Sequence, residues 1–283
     1  MDMTLECVPC LVRQAREAIQ MVTDQVSEQE RVLKRILRML ADVAYDKTSA
    51  HVAALVHSTI REELGAEDPY REVKDRSNHL AARLAGRLEG VVTDADDPFE
   101  AALRLAIAGN IIDYGVGFDT ESIEAAISIA LQQPLPAAQV DALRDAIGEA
   151  NSILYLGDNA GEVFFDRLLI ERLPTDKITF VVRGGPVLND ATRVDAEAAG
   201  LHKLVEVVDN GSTAPATILE YCSPGFRERF RRADLIIAKG QGNYESLSSE
   251  AAPIFFLLKV KCPVVADHLD DYELGDLAVC RAT

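Results

Sequence analysis

Ile153-Leu154-Tyr155-Leu156-Gly157-Asp158-Asn159-Ala160-Gly161-Glu162 is an apolar run that stops abruptly at an acid, an amide and two glycines. It reads as a buried strand that delivers Asp158 and Asn159 to its carboxyl end, with a helix starting just beyond. In parallel α/β sheets that end of a strand is where ligands bind. A carboxylate beside an amide offers hard oxygen donors, which suit a divalent ion such as magnesium or manganese better than zinc. The competing reading is a polar turn in which Asp158 caps the following helix.

Outward from this stretch the two halves of the chain differ in texture. Beyond residue 151, short β-branched runs alternate with helical stretches, and strands are expected at 152–156, 178–182, 204–208, 235–238, 254–259 and 277–280. That alternation implies right-handed βαβ crossovers and a mostly parallel sheet, hence a three-layer α/β/α, Rossmann-like domain over residues 149–283. Residues 1–148 read as a helical domain. Val32, Ile36, Leu37 and Leu40, and later Leu80, Leu84 and Leu88, recur at three- and four-residue steps. Pro98 suits the first turn of a helix, and Gln133-Pro134-Leu135-Pro136 marks a break before one more helix through Ile147.

Bulk properties narrow the function classes. The 283 residues are 48% hydrophobic and carry a net charge of −17, with the acidic excess spread over both halves. No basic arm is present, so nucleic-acid binding through phosphate neutralisation has little support. An anionic substrate needs a local positive device, either a metal or a few placed Lys and Arg side chains. The amino terminus lacks the pattern of an ordinary secretory signal, and no apolar run approaches the ~20 residues of a membrane helix. Five cysteines in a chain of this length do not make a disulfide framework, and the expected location is cytoplasmic.

Four of the expected strands end in polar or glycine-rich loops. Gly157–Glu162 follows the first and Arg183-Gly184-Gly185-Pro186-Val187-Leu188-Asn189-Asp190-Ala191-Thr192 the second. Asp209-Asn210-Gly211-Ser212-Thr213 and Lys239-Gly240-Gln241-Gly242-Asn243-Tyr244-Glu245 follow the next two. Parallel strands put all four loops on one edge of the sheet, as an active site requires. Asp158, Asn159 and Asp190 can together form an oxygen-rich, partly open metal site completed by water and substrate phosphate. Lys239 leads a glycine-rich turn into a helix, where Gly240, Gly242 and Asn243 can help hold an anion. The turn is neither a Walker loop nor a full dinucleotide fingerprint. Taken singly, Asp190 also fits a helix cap and Lys239 a solvated surface lysine.

Three of these loops, Gly157–Glu162, Arg183–Thr192 and Lys239–Asn243, in this order and each at an expected strand end, resemble the damage-control phosphatase family, formerly domain of unknown function 89. The resemblance covers nearly the full chain. It implies metal ligation by Asp158, Asn159 and Asp190, a phosphate-binding role for Lys239, and metal-dependent hydrolysis of small phosphorylated metabolites, including damaged or surplus ones. Magnesium, manganese, cobalt and nickel are the candidate ions. Whether Asp158 also acts as a nucleophile stays open, and Arg183 and Asp209 are expected as further substrate contacts. Cys7-Val8-Pro9-Cys10 resembles the amino-terminal pair of the family's prokaryotic branch. Structural, redox and zinc readings of that pair compete, and it stays unassigned. The resemblance also covers Ala108–Gly115, where Asn110 and Asp113 either face substrate or belong to a glycine-capped helix end.

Two other classes compete. The loop after the first strand loosely echoes a glycine-rich nucleoside loop, as in an S-adenosylmethionine-dependent methyltransferase. Arg183, however, stands where an acid would hold a ribose hydroxyl. A non-catalytic regulatory protein that binds metal and phosphometabolite would bind tightly without turnover. His51, His57, His79, His202 and His268 form no HExxH and no close pair, so they read as surface or packing residues. No GxSxG elbow supports a serine hydrolase.

Overall fold

The computed structural model describes residues 1–109 and 127–282. Its centre is a six-stranded sheet of order β3-β2-β1-β4-β5-β6. The strands are β1 (Ile153–Leu156), β2 (Ile178–Val182), β3 (Glu206–Asp209), β4 (Leu235–Lys239), β5 (Ile254–Lys259) and β6 (Leu277–Arg281). β1 to β5 run parallel, and β6 closes one edge antiparallel to β5. All four residues of β1 are buried, as in a parallel strand covered on both faces.

The pleat sends alternate residues to opposite layers. Ile153, Tyr155, Phe180 and Ile237 pack on one face, beneath the helices α4 (Arg71–Thr93), α5 (Pro98–Ala108), α6 (Ala137–Glu149), α7 (Val163–Ile170) and α8 (Arg193–Ala198). Leu154, Leu156, Val181 and Ile236 pack on the other, beneath α9 (Pro224–Arg232), α10 (Gly240–Leu247) and α11 (Pro263–Leu269). The core of the first face therefore contains helices from both halves of the chain. Pro98 opens α5 as expected, with Asp97 accepting the Glu100 amide at 3.0 Å.

The first three helices, α1 (Cys7–Val22), α2 (Val26–Asp42) and α3 (Ser49–Leu64), form a smaller bundle around Leu11, Ile19, Val32, Ile36, Val56 and Ile60. Ala50 of α3 docks this bundle on Ala214, Ala216 and Ile218. β1, β4 and β6 differ from the expected bounds by one residue, and the largest shift is in β3, which starts at Glu206 rather than 204. The Val205 amide is already taken by the Leu201 carbonyl at 3.0 Å in a preceding turn, and Asp209, paired with Val182, ends the strand instead of following it.

Candidate active site at the strand ends

β1 lies between β2 and β4, so the chain order reverses direction across the sheet at this point. Such a switch point opens a crevice at the carboxyl ends of the strands. Asp158 enters it from β1. Gly240, the first residue of α10, enters from β4 with φ +82°, and a β-carbon there would overlap the Asp158 carboxylate. Only glycine combines that backbone with that approach.

The loop after β2 is stitched to the loop after β1. Asn159 and Asp190 form an isolated antiparallel bridge, the Ala160 amide donates to the Asn189 carbonyl at 2.8 Å, and the Ala191 amide donates to the Asp158 carbonyl at 2.8 Å. Asp158, Asn159 and Asp190 are thus brought together. Asn159 donates its amide nitrogen to Asp158 Oδ2 at 2.9 Å and to Glu162 Oε2 at 3.3 Å. Asp190 Oδ2 accepts from Arg183 Nε at 2.6 Å and from the Ala216 amide at 3.1 Å. Burial pushes the Asp190 carboxyl above its usual range, while the Arg183 guanidinium works in the opposite direction. Neither acid is a helix cap. α7 starts at Val163 without a side-chain cap, and α8 is capped by a reciprocal pair, Thr192 and Asp195.

Lys239 is fully buried, not a solvated surface lysine. Its ammonium donates to Glu162 Oε1 at 2.6 Å, to Asp166 Oδ1 at 2.5 Å and to the Ala106 carbonyl in the last turn of α5 at 2.7 Å. Tyr155 adds a hydroxyl donor to Asp166 Oδ1 at 2.8 Å. Burial opposes the Lys239 charge, but the two carboxylates overcome it and raise its pKa. Asp166, stripped of water, is pushed up to about 6 although Lys239 lowers it. Glu162 therefore links two motifs, touching Asn159 with one oxygen and Lys239 with the other.

The remaining expected residues hold several positions. Arg183 is buried beside Asp190, with Nη1 3.4 Å from the Thr217 hydroxyl, so its guanidinium positions a carboxylate and also contributes to the wall of the adjoining cavity. Asp209 pairs with Arg193 at 2.9 Å on the rim of a cavity of about 240 Å³. Asn243 is buried and donates to the Lys239 carbonyl at 2.7 Å and, more loosely, to the Gly157 carbonyl at 3.4 Å, which ties α10 to the β1 loop. Gly242 lies against Ala216, where a β-carbon would come within 3.1 Å of the alanine methyl. Asn110 and Asp113 lie outside the described residues. All five cysteines are free; Cys10 is exposed and Cys7 half-buried at the start of α1.

Three contributors went unassigned at the sequence level. Glu162 and Asp166 sit four residues apart on one face of the first turns after β1, and that spacing was the available signal. Asn78 of α4 accepts the Gly161 amide at 2.6 Å and donates to Asp195 at 2.8 Å, pinning the helical region to the β1 loop.

The donor set fits a hard divalent ion. Asp158 and Asp190 are carboxylates, and Asn159, whose nitrogen end is turned toward Asp158 and Glu162, would offer a cation its oxygen. Among the described residues no three His, Cys, Asp or Glu side chains cluster as a metal cage. A cation here would therefore use the amide and leave coordination positions for water and substrate, as magnesium-type sites do. No helix among the described residues is long and apolar enough to cross a membrane.

Comparison with known proteins identifies the family. The sequence matches the damage-control phosphatase ARMT1-like domain over residues 3–275. It is 36% identical over 279 residues to a damage-control phosphatase of Archaeoglobus fulgidus, covering 96% of each chain. It is 36% identical over 284 residues to an uncharacterized protein of Methanocaldococcus jannaschii, covering 96% of this chain and 92% of that one. The crystal structure of a DUF89 family protein from Pyrococcus horikoshii superposes with a TM-score of 0.91 at 34% identity, covering 100% of both chains. This chain belongs to the ARMT1-like damage-control phosphatase domain family.

Proposed function

We propose that this protein is a metal-dependent phosphatase of small phosphorylated metabolites. The observation that carries the reading is the stitching of Asp158, Asn159 and Asp190 into one edge of the sheet, opposite the amino terminus of α10. A divalent ion held by these three would polarise a phosphoryl oxygen and acidify a bound water. The protein's own groups orient and neutralise. Backbone N–H groups in the first turn of α10 have no intrahelical partner and suit phosphoryl oxygens. Arg183 and the Ala216 amide fix the Asp190 carboxylate, and Glu162 fixes the Asn159 amide. Lys239 holds Glu162 and Asp166 from below, and it must exchange one of its three acceptors to touch a phosphoryl oxygen. Its phosphate-binding role thus includes a rearrangement of this buried cluster.

The test is release of inorganic phosphate from a panel of phosphometabolites with magnesium, manganese, cobalt or nickel, before and after chelation. Turnover that vanishes on chelation and returns with metal supports the reading. Full activity of protein shown to be metal-free removes the proposed mechanism. Binding of a phosphometabolite without turnover under any of the four metals removes the enzyme.

A further inference from the structure

The cavity of about 240 Å³ beside the site lies between the first turns of α4 and the segment 183–195, and Lys74 lines it together with Gly184 and Gly185. Lys74 is only 3% exposed, and among the described residues its ammonium has one close partner, Asp68 Oδ2 at 2.7 Å. Its position is fixed by its neighbours. Asn78, one turn further along α4, bonds both Gly161 and Asp195, and a β-carbon on Gly161 would press on Ser77 at 3.1 Å. The face of α4 that carries Lys74 is therefore clamped to the loop that delivers Asp158 and Asn159. Lys74 is also close enough for its charge to act on Asp190.

The other cations near the site are largely committed. Lys239 spends its three protons on Ala106, Glu162 and Asp166, and Arg183, which also lines the cavity, is held by Asp190 through Nε and by Thr217 through Nη1, with Nη2 left unpartnered among the described residues. Arg71 and Arg193, on the cavity rim, pair with Asp75 and Asp209. Residues 110–126 contain neither Lys nor Arg. A water-poor ammonium with a single acceptor is well able to take up a further anionic oxygen.

We propose that Lys74 is a substrate-binding residue whose ammonium meets an anionic oxygen of the phosphate ester bound between the Asp158–Asp190 edge and this cavity. The proposal rests on the phosphatase reading for the nature of the ligand. Asp68 holds Lys74 in place in the free protein and competes with the substrate for it.

The experiment is calorimetric binding of inorganic phosphate in the presence of manganese, with steady-state kinetics, for the wild type, Lys74→Met, Lys74→Arg and Asp68→Asn. Lys74→Met is expected to weaken phosphate binding and raise KM at least tenfold while manganese affinity stays within twofold. Lys74→Arg should recover part of the loss, and Asp68→Asn should tighten phosphate at least twofold by removing the competitor. Folded Lys74→Met with wild-type phosphate affinity overturns the proposal, as does a wild type that binds no phosphate. Should Lys74→Met fail to fold, Asp68→Asn decides, and unchanged or weaker phosphate affinity overturns the proposal. The two readings fail separately. Lys74-dependent phosphate binding without turnover of any ester sinks the phosphatase alone, whereas normal kinetics in folded Lys74→Met sink only the assignment of Lys74.

Discussion

Lys239 and Glu162 meet at 2.6 Å with both side chains withdrawn from water, so a strand end from β4 and the first turn after β1 share one buried ion pair. Asp166 completes the cluster at 2.5 Å. The arrangement makes Lys239 a structural requirement of the site as well as a source of charge.

Removing that lysine should therefore unfold as well as inactivate. Lys239→Ala leaves two carboxylates buried without their cation, a change that costs about 3–5 kcal/mol. Lys239→Ala combined with Asp166→Asn should recover part of it, since one stranded charge is gone. Urea unfolding of the three proteins checks this, and a Lys239→Ala variant as stable as the wild type would contradict the buried-cluster account.

The ligand set makes a graded forecast. Asp158→Ala and Asp190→Asn should each lower turnover by about a hundredfold or more, since each removes a charged ligand from the proposed ion. Asn159→Ala removes a neutral one, so a smaller loss, partly restored by excess metal, is expected. Asp190→Ala is the poorer probe because it strands Arg183, which is buried against it. Near-normal turnover in folded Asp158→Ala would refute the assignment.

Gly240 offers a test that substitutes none of the proposed ligands. Its φ of +82° is costly for alanine, and the added methyl would overlap the Asp158 carboxylate. Gly240→Ala should lower divalent-ion affinity at least tenfold, read by calorimetry, with stability reduced by about 1–3 kcal/mol. Unchanged affinity in a folded variant would mean that Asp158 does not need its present position.

A separate pH dependence comes from His57 in α3. Burial, aided by Arg61, pushes its pKa down to about 3, and its Nε2 stands 3.2 Å from Gln14 Oε1. A depressed pKa means the neutral form suits the fold. Its contribution is complete above the unfolded value of 6.5 and drains away as pH falls toward 3. Stability should drop by at most roughly 1.4 kcal/mol per pH unit in this window from this group. His57→Gln should flatten that slope. Thermal melts of both proteins from pH 7 to pH 4 decide it, and parallel curves would exclude His57 as the cause.

Much of this was legible in the sequence, for a physical reason. Strand ends in a parallel sheet are marked by apolar runs that stop at polar residues, so Asp158, Asn159, Asp190 and Lys239 announced themselves by place. The partners of Lys239 did not. That Glu162 and Asp166 lie beneath it depends on Ile153 of β1 pairing with Leu235 of β4, far along the chain, and no local period encodes that neighbour. Lys74 and Asn78 lie in an amphipathic helix whose pattern shows that one side is buried but not against which loop. The change of texture near residue 151 marks where strands begin rather than where a core ends, because α4, α5 and α6 pack on the same sheet face as α7 and α8.

The bond from the Lys239 ammonium to the Ala106 carbonyl has a consequence for synthesis on the ribosome. The last turn of α5 leaves the exit tunnel more than a hundred residues before the lysine that fastens it. Until β5 and β6 arrive, the apolar flank of α5, with Leu103, Leu105 and Ile107, lacks the strands it lies against. A nascent chain halted near residue 148 is expected to expose this flank, and α5 reaches its full packing only when the last two strands have been made.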